Sequence, residues 1–370
     1  MMKFIRNLIS SGSQVVSGQR PGLILHIGTE KTGTTTIQEF LHLNRDLLAN
    51  NGIYFPKSIG IRNHRPLALW CLPNEKDDAY LRINNLTENT QRKNWREDIL
   101  AKFEKEISGL KPEIKLVIIS SEHLSSLLNH PSEIETLKNF LNKWFTDIKI
   151  VIYLRRQDRL VVSRYNTACK VGFIVKSILP HPAKLRHFVN YQNLLGKWSS
   201  IFGKESITPR IFNPAEFINH DLLQDFIRVC KLPENVDFQI PENKNVSFSE
   251  TAQEVIQCFN KKNNQKNEKW KLQKIRDTIF ENVNKKYPGS EKKPLRNEVL
   301  EFYKFFEASN NQVAREWFGR DKLFDEDFSM YPETFPTDRP IPDYEKILLE
   351  EINDKMNVLG PFLLKKSGNE

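Results

Sequence analysis

The strongest limit on the fold of this chain comes from four short apolar runs, at residues 23–27, 116–119, 150–154 and 207–212. Each run is followed first by polar residues and then by a helical pattern. This order is typical of buried parallel strands joined by crossover helices. The sequence therefore predicts an α/β fold in which ligands bind beyond the carboxyl ends of the strands.

The first apolar run leads into a loop rich in glycine and threonine. The residues that follow at helical spacing are Ile37, Phe40, Leu41, Leu47 and Leu48. In a strand-loop-helix unit, successive backbone N–H groups converge on a phosphate at the helix N-terminus. Lys31 adds a mobile positive charge, and Gly33 permits the tight turn. The hydroxyl groups that add further donors belong to Thr32, Thr34, Thr35 and Thr36.

The position of the lysine separates this loop from a Walker A loop, in which lysine directly follows the second glycine. Here Lys31 precedes Gly33. The spacing Gly28-x-x-Lys31-x-Gly33-Thr34-Thr35 instead resembles the 5′-phosphosulfate loop of sulfotransferases that use 3′-phosphoadenosine 5′-phosphosulfate (PAPS). The resemblance extends over about residues 22–250.

A second segment, residues 155–165, resembles the part of these enzymes that holds the 3′-phosphate. In the family, an arginine at a strand end and a serine eight positions later on the next helix bind this phosphate, and Arg155 and Ser163 have that spacing. Asn245 and Ser247 are similar to a late turn on the nucleotide side. Residues 310–324 resemble a C-terminal signature of bacterial members.

The resemblance implies a P-loop-like three-layer fold, with a central and mainly parallel sheet flanked by helices. It also implies an enzyme that transfers a sulfonate group from PAPS to an acceptor hydroxyl by in-line displacement, with no metal required. Two features of the animal enzymes for small molecules are missing: Thr36 replaces a tryptophan, and the C-terminal Arg-Lys-Gly clamp is absent. Carbohydrate-type members fit better, so the expected acceptor is a polysaccharide or a glycolipid.

The base that activates the acceptor has two candidates in the segment that follows the second apolar run. His123 matches the position of the catalytic histidine of the cytosolic relatives, whereas carbohydrate sulfotransferases commonly use a glutamate, which here is Glu122. The two side chains point in opposite directions if the strand continues that far. Alternatively, one of them caps the following helix.

Changes in composition divide the chain into a lead-in at residues 1–20, a sulfotransferase-like core at 21–250 and a helical C-terminal extension, packed on the core, at 251–370. No apolar run approaches the ~18 residues of a membrane-spanning helix. The four cysteines lie far apart without a CxxC pair, which favours a reducing cytoplasm over a disulfide framework or a zinc site. The oligomeric state is left open.

The net charge of +9 favours anionic ligands in general. A nucleotide kinase is the nearest alternative enzyme, but it needs a Walker lysine and an acidic residue for magnesium. A non-catalytic binding protein for anionic glycan or nucleic acid would use distributed lysine and arginine, with strong salt dependence. Neither alternative accounts for the spacing of Lys31, Arg155 and Ser163, and nucleic acid is not expected as a partner.

Overall fold

The computed structural model describes residues 20–185, 189–242, 249–263, 272–335 and 342–363. Apart from Arg20, the predicted lead-in lies outside these residues. The chain forms two compact units, each assembled from separated segments. The first unit comprises Met1–Arg155, Leu185–Asn243 and Ser309–Phe324, and the second comprises Arg156–Lys184, Lys244–Ala308 and Asp325–Glu370.

A five-stranded sheet organises the first unit. Its strands are β1 (Gly22–His26), β2 (Ile53–Tyr54), β3 (Leu116–Ser120), β4 (Ile148–Leu154) and β5 (Ile207–Ile211). They lie in the order β2-β3-β1-β4-β5, and every neighbouring pair is parallel. Four of the strands coincide with the predicted apolar runs. The sequence analysis missed β2, because a strand of two residues carries no readable pattern.

Helices connect the strands and make up most of the second unit. In chain order the described helices are α1 (Thr34–Leu43), α2 (Arg45–Asn50), α3 (Arg65–Cys71), α4 (Ala79–Ile83), α5 (Asn89–Ser108), α6 (His123–Leu127), α7 (Pro131–Leu141), α8 (Gln157–Lys170), α9 (Tyr191–Phe202), α10 (Leu222–Val229), α11 (Glu250–Lys262), α12 (Gln273–Lys286), α13 (Arg296–Val313) and α14 (Tyr344–Leu363). A π-helical turn, Ala314–Phe318, continues α13. In the part of the chain that the structure describes, no helix combines the length and the apolar character needed to cross a bilayer.

Asn44 divides the first predicted helix into α1 and α2. Its side-chain N–H donates to the carbonyl oxygens of Phe40 and Gln239, at 2.8 Å each, and its side-chain oxygen accepts from the Gln239 backbone N–H at 2.7 Å. An asparagine that bonds to backbone groups competes with the regular helical pattern. The apolar spacing continues across this interruption, which is why the sequence alone indicated one helix.

An apolar core of the first unit lies where α1 and α10 pack against the sheet. Phe40 on α1, Ile118 on β3, Tyr153 on β4 and Phe226 on α10 are fully buried in it. Burial of each large apolar side chain contributes about 1.5–3 kcal/mol. Because successive residues of a strand face opposite sides, the equally buried Leu25 on β1 faces the other layer. The predicted three-layer α/β fold is confirmed.

The second unit has an apolar core of its own. Tyr165 on α8, Val255 on α11, Ile279 on α12 and Leu348 on α14 are buried together in it. The helical character predicted for the C-terminal part is therefore confirmed. The predicted boundary near residue 250 stays a prediction. Of the two units, α8 belongs to the second and residues 309–324 belong to the first. Local patterns locate a helix along the chain, but its packing partners depend on residues distant in sequence.

Candidate active site

The loop that follows β1 is anchored to β4 by backbone hydrogen bonds. The Thr29 N–H donates to the Tyr153 carbonyl oxygen at 3.0 Å, and the Tyr153 N–H donates to the Gly28 carbonyl oxygen at 2.6 Å. The hydroxyl of Thr32 is fully buried and donates to the Thr29 carbonyl oxygen at 2.6 Å. Thr32 therefore braces the loop through its side chain, and the loop has a defined shape before any ligand arrives.

The same loop ends as an open helix N-terminus. Gly33 has a φ of 70° and precedes α1, whose first intrahelical bond runs from the Ile37 N–H to the Gly33 carbonyl oxygen at 3.1 Å. Gly33, the N-cap residue, has no side chain that could cap this end. Thr34 is buried, Thr36 is half-buried and Thr35 is exposed. Uncapped first-turn amides together with the helix dipole favour an anion.

Two apolar side chains lie close to Gly33. A β-carbon added to it would lie 2.2 Å from Leu222 Cδ2 and 3.3 Å from Phe212 Cε2. Glycine is thus required here both for its positive φ and for space. Lys31 also has a positive φ, 64°, which is unfavourable for a residue with a β-carbon. A strained lysine beside an uncapped helix is typical of a functional loop.

Arg155, the residue after β4, lies against this loop. Its Nη1 donates to the Lys31 carbonyl oxygen at 2.7 Å, and its guanidinium carbon lies 5.4 Å from the centroid of the Phe212 ring. The Tyr191 hydroxyl donates to the backbone carbonyl oxygen of Arg155. The residue after β4 therefore places a guanidinium group against the backbone of Lys31.

The adjacent Arg156 has a different role and belongs to the second unit. Its guanidinium donates from Nε and Nη2 to the two carboxylate oxygens of Asp158, at 2.8 and 3.0 Å. It also donates to Asp325 Oδ1 at 2.8 Å and lies 4.2 Å from the centroid of the Phe328 ring. With 1% of its side chain exposed, Arg156 is a buried structural residue. Arg156 is therefore engaged within the second unit, whereas Arg155 contacts the loop after β1.

Glu122 is held by two neutral amides. Its Oε2 accepts from Gln38 Nε2 and from Asn63 Nδ2, at 2.9 Å each. Asn63 is oriented in turn by the Ser121 hydroxyl, which donates to Asn63 Oδ1 at 2.7 Å. A β-carbon at Gly28 would lie 2.8 Å from Glu122 Cβ, so the backbone of Glu122 lies directly against the loop after β1.

Sequence analysis had not identified Gln38 or Asn63. Gln38 lies one helical turn after Thr34, so its position in the predicted helix was a usable signal. Asn63 lies in an irregular segment between β2 and α3, and nothing in the local sequence indicates that it reaches Glu122.

His123 begins α6, and its Nε2 lies 3.9 Å from Glu122 Oε1. Because β3 ends at Ser120, the alternation of a strand does not determine the directions of these two side chains. Burial lowers the pKa of His123, although the charge of Glu122 acts in the opposite direction, so the imidazole is neutral near pH 7. Neither candidate caps the N-terminus of α6 with its side chain. The hydroxyl of Ser121 accepts the hydrogen bond from the His123 N–H there, at 3.3 Å.

Two buried histidines hold Ser120, the last residue of β3. His26 Nδ1 lies 2.8 Å from Ser120 Oγ, and the Ser120 backbone N–H donates to His64 Nδ1 at 3.0 Å. His64 Nε2 then carries the proton and donates to the Pro56 carbonyl oxygen at 3.0 Å. Burial lowers the pKa of each imidazole to about 4. Both are neutral near pH 7 and fix the strand end that leads to Glu122.

The remaining predicted site residues are less directly placed. Ser163 is half-buried on α8, in the second unit, so its pairing with Arg155 stays a prediction. Asn245 and Ser247 lie outside the described residues. Within those residues, no three His, Cys, Asp or Glu side chains are grouped as metal ligands would be.

No family model matches the chain. An uncharacterized protein from Archaeoglobus fulgidus is 29% identical over 213 residues, which cover 56% of this chain and 55% of that protein. The chain therefore spans about half the length of this curated relative. The crystal structure of a sulfotransferase from Alicyclobacillus acidocaldarius matches with 17% identity and a TM-score of 0.37, covering 64% of this chain and 90% of the other.

Proposed function

We propose that this protein is a sulfotransferase that moves a sulfonate group from PAPS to an acceptor hydroxyl. The observation that carries the proposal is the contact between Gly28 and Glu122. This contact joins the loop after β1, which suits a phosphosulfate, to Glu122, whose carboxylate suits the acceptance of a proton. Both lie at the carboxyl edge of a parallel sheet. Ligands of open α/β sheets bind at this edge.

The donor side of the proposed reaction uses the loop after β1. The uncapped amides at the start of α1 suit the 5′-phosphosulfate, and Lys31 stabilises the negative charge that builds on the leaving phosphate. Arg155 holds the backbone of Lys31 and supplies a second positive charge. Contacts of Ser163, Asn245 and Ser247 with the nucleotide are part of the proposal on the strength of the sequence resemblance alone.

The proposed chemistry is an in-line displacement at sulfur. The acceptor oxygen attacks the sulfur, the bond between sulfur and the bridging phosphate oxygen breaks, and the acceptor proton passes to the base. Positioning and fixed positive charge supply most of the rate enhancement in such transfers. Proton removal by a placed base adds roughly 10²–10⁴.

Glu122 is the better placed of the two candidate bases. Gln38 and Asn63 hold one carboxylate oxygen, so the group is preorganised, and its other oxygen lies on the side of His123. Glu122→Gln should therefore abolish turnover while leaving donor binding intact, whereas His123→Ala should reduce turnover less. If Glu122→Gln keeps near-normal turnover, His123 becomes the base.

Binding of adenosine 3′,5′-bisphosphate, compared with ATP in a calorimetric titration, tests the proposed function directly. Preference for the bisphosphate supports a sulfotransferase, preference for ATP supports the kinase alternative, and binding of neither contradicts both. The residues after β4 do not favour the kinase alternative, which needs an acidic residue for magnesium. Asp158 is fully buried there and accepts hydrogen bonds from Arg156 and from the Tyr331 hydroxyl.

The acceptor and the cellular location complete the proposal. A polysaccharide or glycolipid is favoured because Thr36, half-buried on α1, stands where the small-molecule enzymes have tryptophan. A cytoplasmic location agrees with Cys71, Cys169, Cys230 and Cys258 all being free thiols. Sulfation assays with uronate-containing and neutral glycans as acceptors test the substrate class.

A further inference from the structure

A groove on the first unit runs along α9, and none of the residues that line it is assigned to the proposed donor site or to the base. Its volume is about 790 Å³, within the range of ligand sites in proteins. One wall is α9, and the other is formed by the end of α13 and the π-helical turn. A helix of 12 residues is roughly 18 Å long, so the groove suits an extended ligand rather than a compact one.

The wall formed by α9 is polar and open. Asn193 and Ser200 are exposed along it, and Gln192 and Ser199 are half-buried. Gly196 lies among them, and a β-carbon built there would have no atom within 4 Å. This helix face therefore offers amide and hydroxyl groups around a bare stretch of backbone.

The opposite wall is braced by side-chain hydrogen bonds. Gln192 Nε2 donates to Gln312 Oε1 at 2.6 Å, and Gln312 Nε2 donates to Glu316 Oε1 at 2.7 Å. The π-helical turn also carries Trp317, whose ring centroid lies 5.2 Å from Lys204 Nζ. Such turns are rare and frequently occur at functional sites.

We infer that this groove binds an extended, acidic saccharide chain. Sugar hydroxyls pair with amides and hydroxyls of the kind that line α9, and an aromatic ring such as Trp317 packs against the apolar face of a sugar. Lys197 Nζ donates to the Asn129 carbonyl oxygen at 3.2 Å, and Lys204 Nζ donates to the Glu316 carbonyl oxygen at 2.8 Å. These bonds hold two positive charges at the groove, where they can attract carboxylate or sulfate groups. A docked peptide helix would need an apolar stripe, and a nucleic acid would need many more phosphate contacts.

The groove is connected to the proposed donor site through its own helix. Tyr191, the first residue of α9, donates its hydroxyl proton to the Arg155 carbonyl oxygen, and Gln192 beside it already lines the groove. A chain held along α9 is therefore led toward the end of β4. The part of the inference that takes this saccharide to be the acceptor rests on the proposed function. Binding of the saccharide to the groove requires neither the donor nor turnover.

Titration calorimetry with the full chain tests the groove. The acidic probe is a tetrasaccharide of hyaluronan, and the neutral probe is maltotetraose. Gly196→Leu extends into the open stretch from a position where a β-carbon meets no atom within 4 Å, and it suits a helix. Trp317→Ala removes the ring. Each variant should weaken binding of the acidic probe about tenfold. The matched control is Asn139→Leu, at an exposed position of α7 outside the groove, which should leave binding unchanged.

The outcomes separate the inference from the proposed function. Equal affinity of the acidic probe for the wild type and both groove variants, or no binding of it at all, overturns the inference. Equal binding of maltotetraose overturns the acidic specificity. If the acidic probe binds in the groove while adenosine 3′,5′-bisphosphate does not bind the protein, the groove stands and the sulfotransferase proposal fails.

Discussion

Gly28 and Glu122 are in contact, so that a β-carbon added to Gly28 would lie 2.8 Å from the Cβ and 2.9 Å from the Cα of Glu122. Neither of these atoms can rotate away, because both belong to the backbone or are attached directly to it. The φ of 90° at Gly28 also disfavours any residue with a side chain. The positions of the loop after β1 and of Glu122, the candidate base, are therefore fixed relative to each other.

Gly28→Ala should lower turnover by about 100-fold, because either the loop or Glu122 must move by a fraction of an ångström or more. Steady-state kinetics with a saturating acceptor, supported by a bisphosphate titration, measures the effect. Gly109→Ala, at the end of α5 with a φ of −87°, is the matched control and should retain turnover. Normal turnover in Gly28→Ala would mean that the contact has no role in positioning.

Lys31→Ala should lower turnover by roughly 10²–10³, since it removes the charge that stabilises the leaving phosphate. Thermal unfolding should change little, because lysine and alanine carry the same penalty at a φ of 64°. Lys57→Ala, which replaces an exposed lysine after β2, should retain activity. Transfer of labelled sulfonate at the wild-type rate by Lys31→Ala would contradict the donor-site assignment.

Arg155→Ala and Arg156→Ala should behave differently although the residues are neighbours. The first should raise the PAPS concentration needed for half-maximal rate without changing acceptor preference. The second should destabilise the protein by about 3–5 kcal/mol, because it leaves the carboxylate of Asp158 buried without its main partner. Donor titrations and urea unfolding separate the two, and an unchanged donor requirement in Arg155→Ala would remove it from the donor site.

Stability should fall as the pH falls from 6.5 toward 4. Unfolded imidazoles take up protons below about pH 6.5, whereas the pKa values of His26 and His64 are about 4 in the folded protein. The unfolded state therefore holds more protons in this window, and each histidine costs up to roughly 1.4 kcal/mol per pH unit. Urea unfolding at pH 7, 6 and 5 measures the slope, which His26→Phe should reduce. Identical slopes in the two proteins would refute the contribution of His26.

Much of the fold was readable from local patterns. The apolar run at 150–154 predicted β4, and the helical spacing that begins at Ile37 predicted α1, because burial imposes a period on each kind of element. Asn44 is a counterexample: its side chain interrupts the first helix by bonding to Gln239, a residue 195 positions away. Contacts at that separation leave no local signal.

The loop proposed to bind the donor was predicted from the sequence itself, since Lys31, Gly33 and the threonines are consecutive and their spacing sets the turn. Only the tertiary structure decided what Arg156 binds, how the two candidate bases are held and which amides orient Glu122. Gln38, Asn63 and Glu122 come from three separate stretches of chain. Their hydrogen bonds form because parallel strands bring the segments after them to one edge of the sheet, which only the folded arrangement reveals.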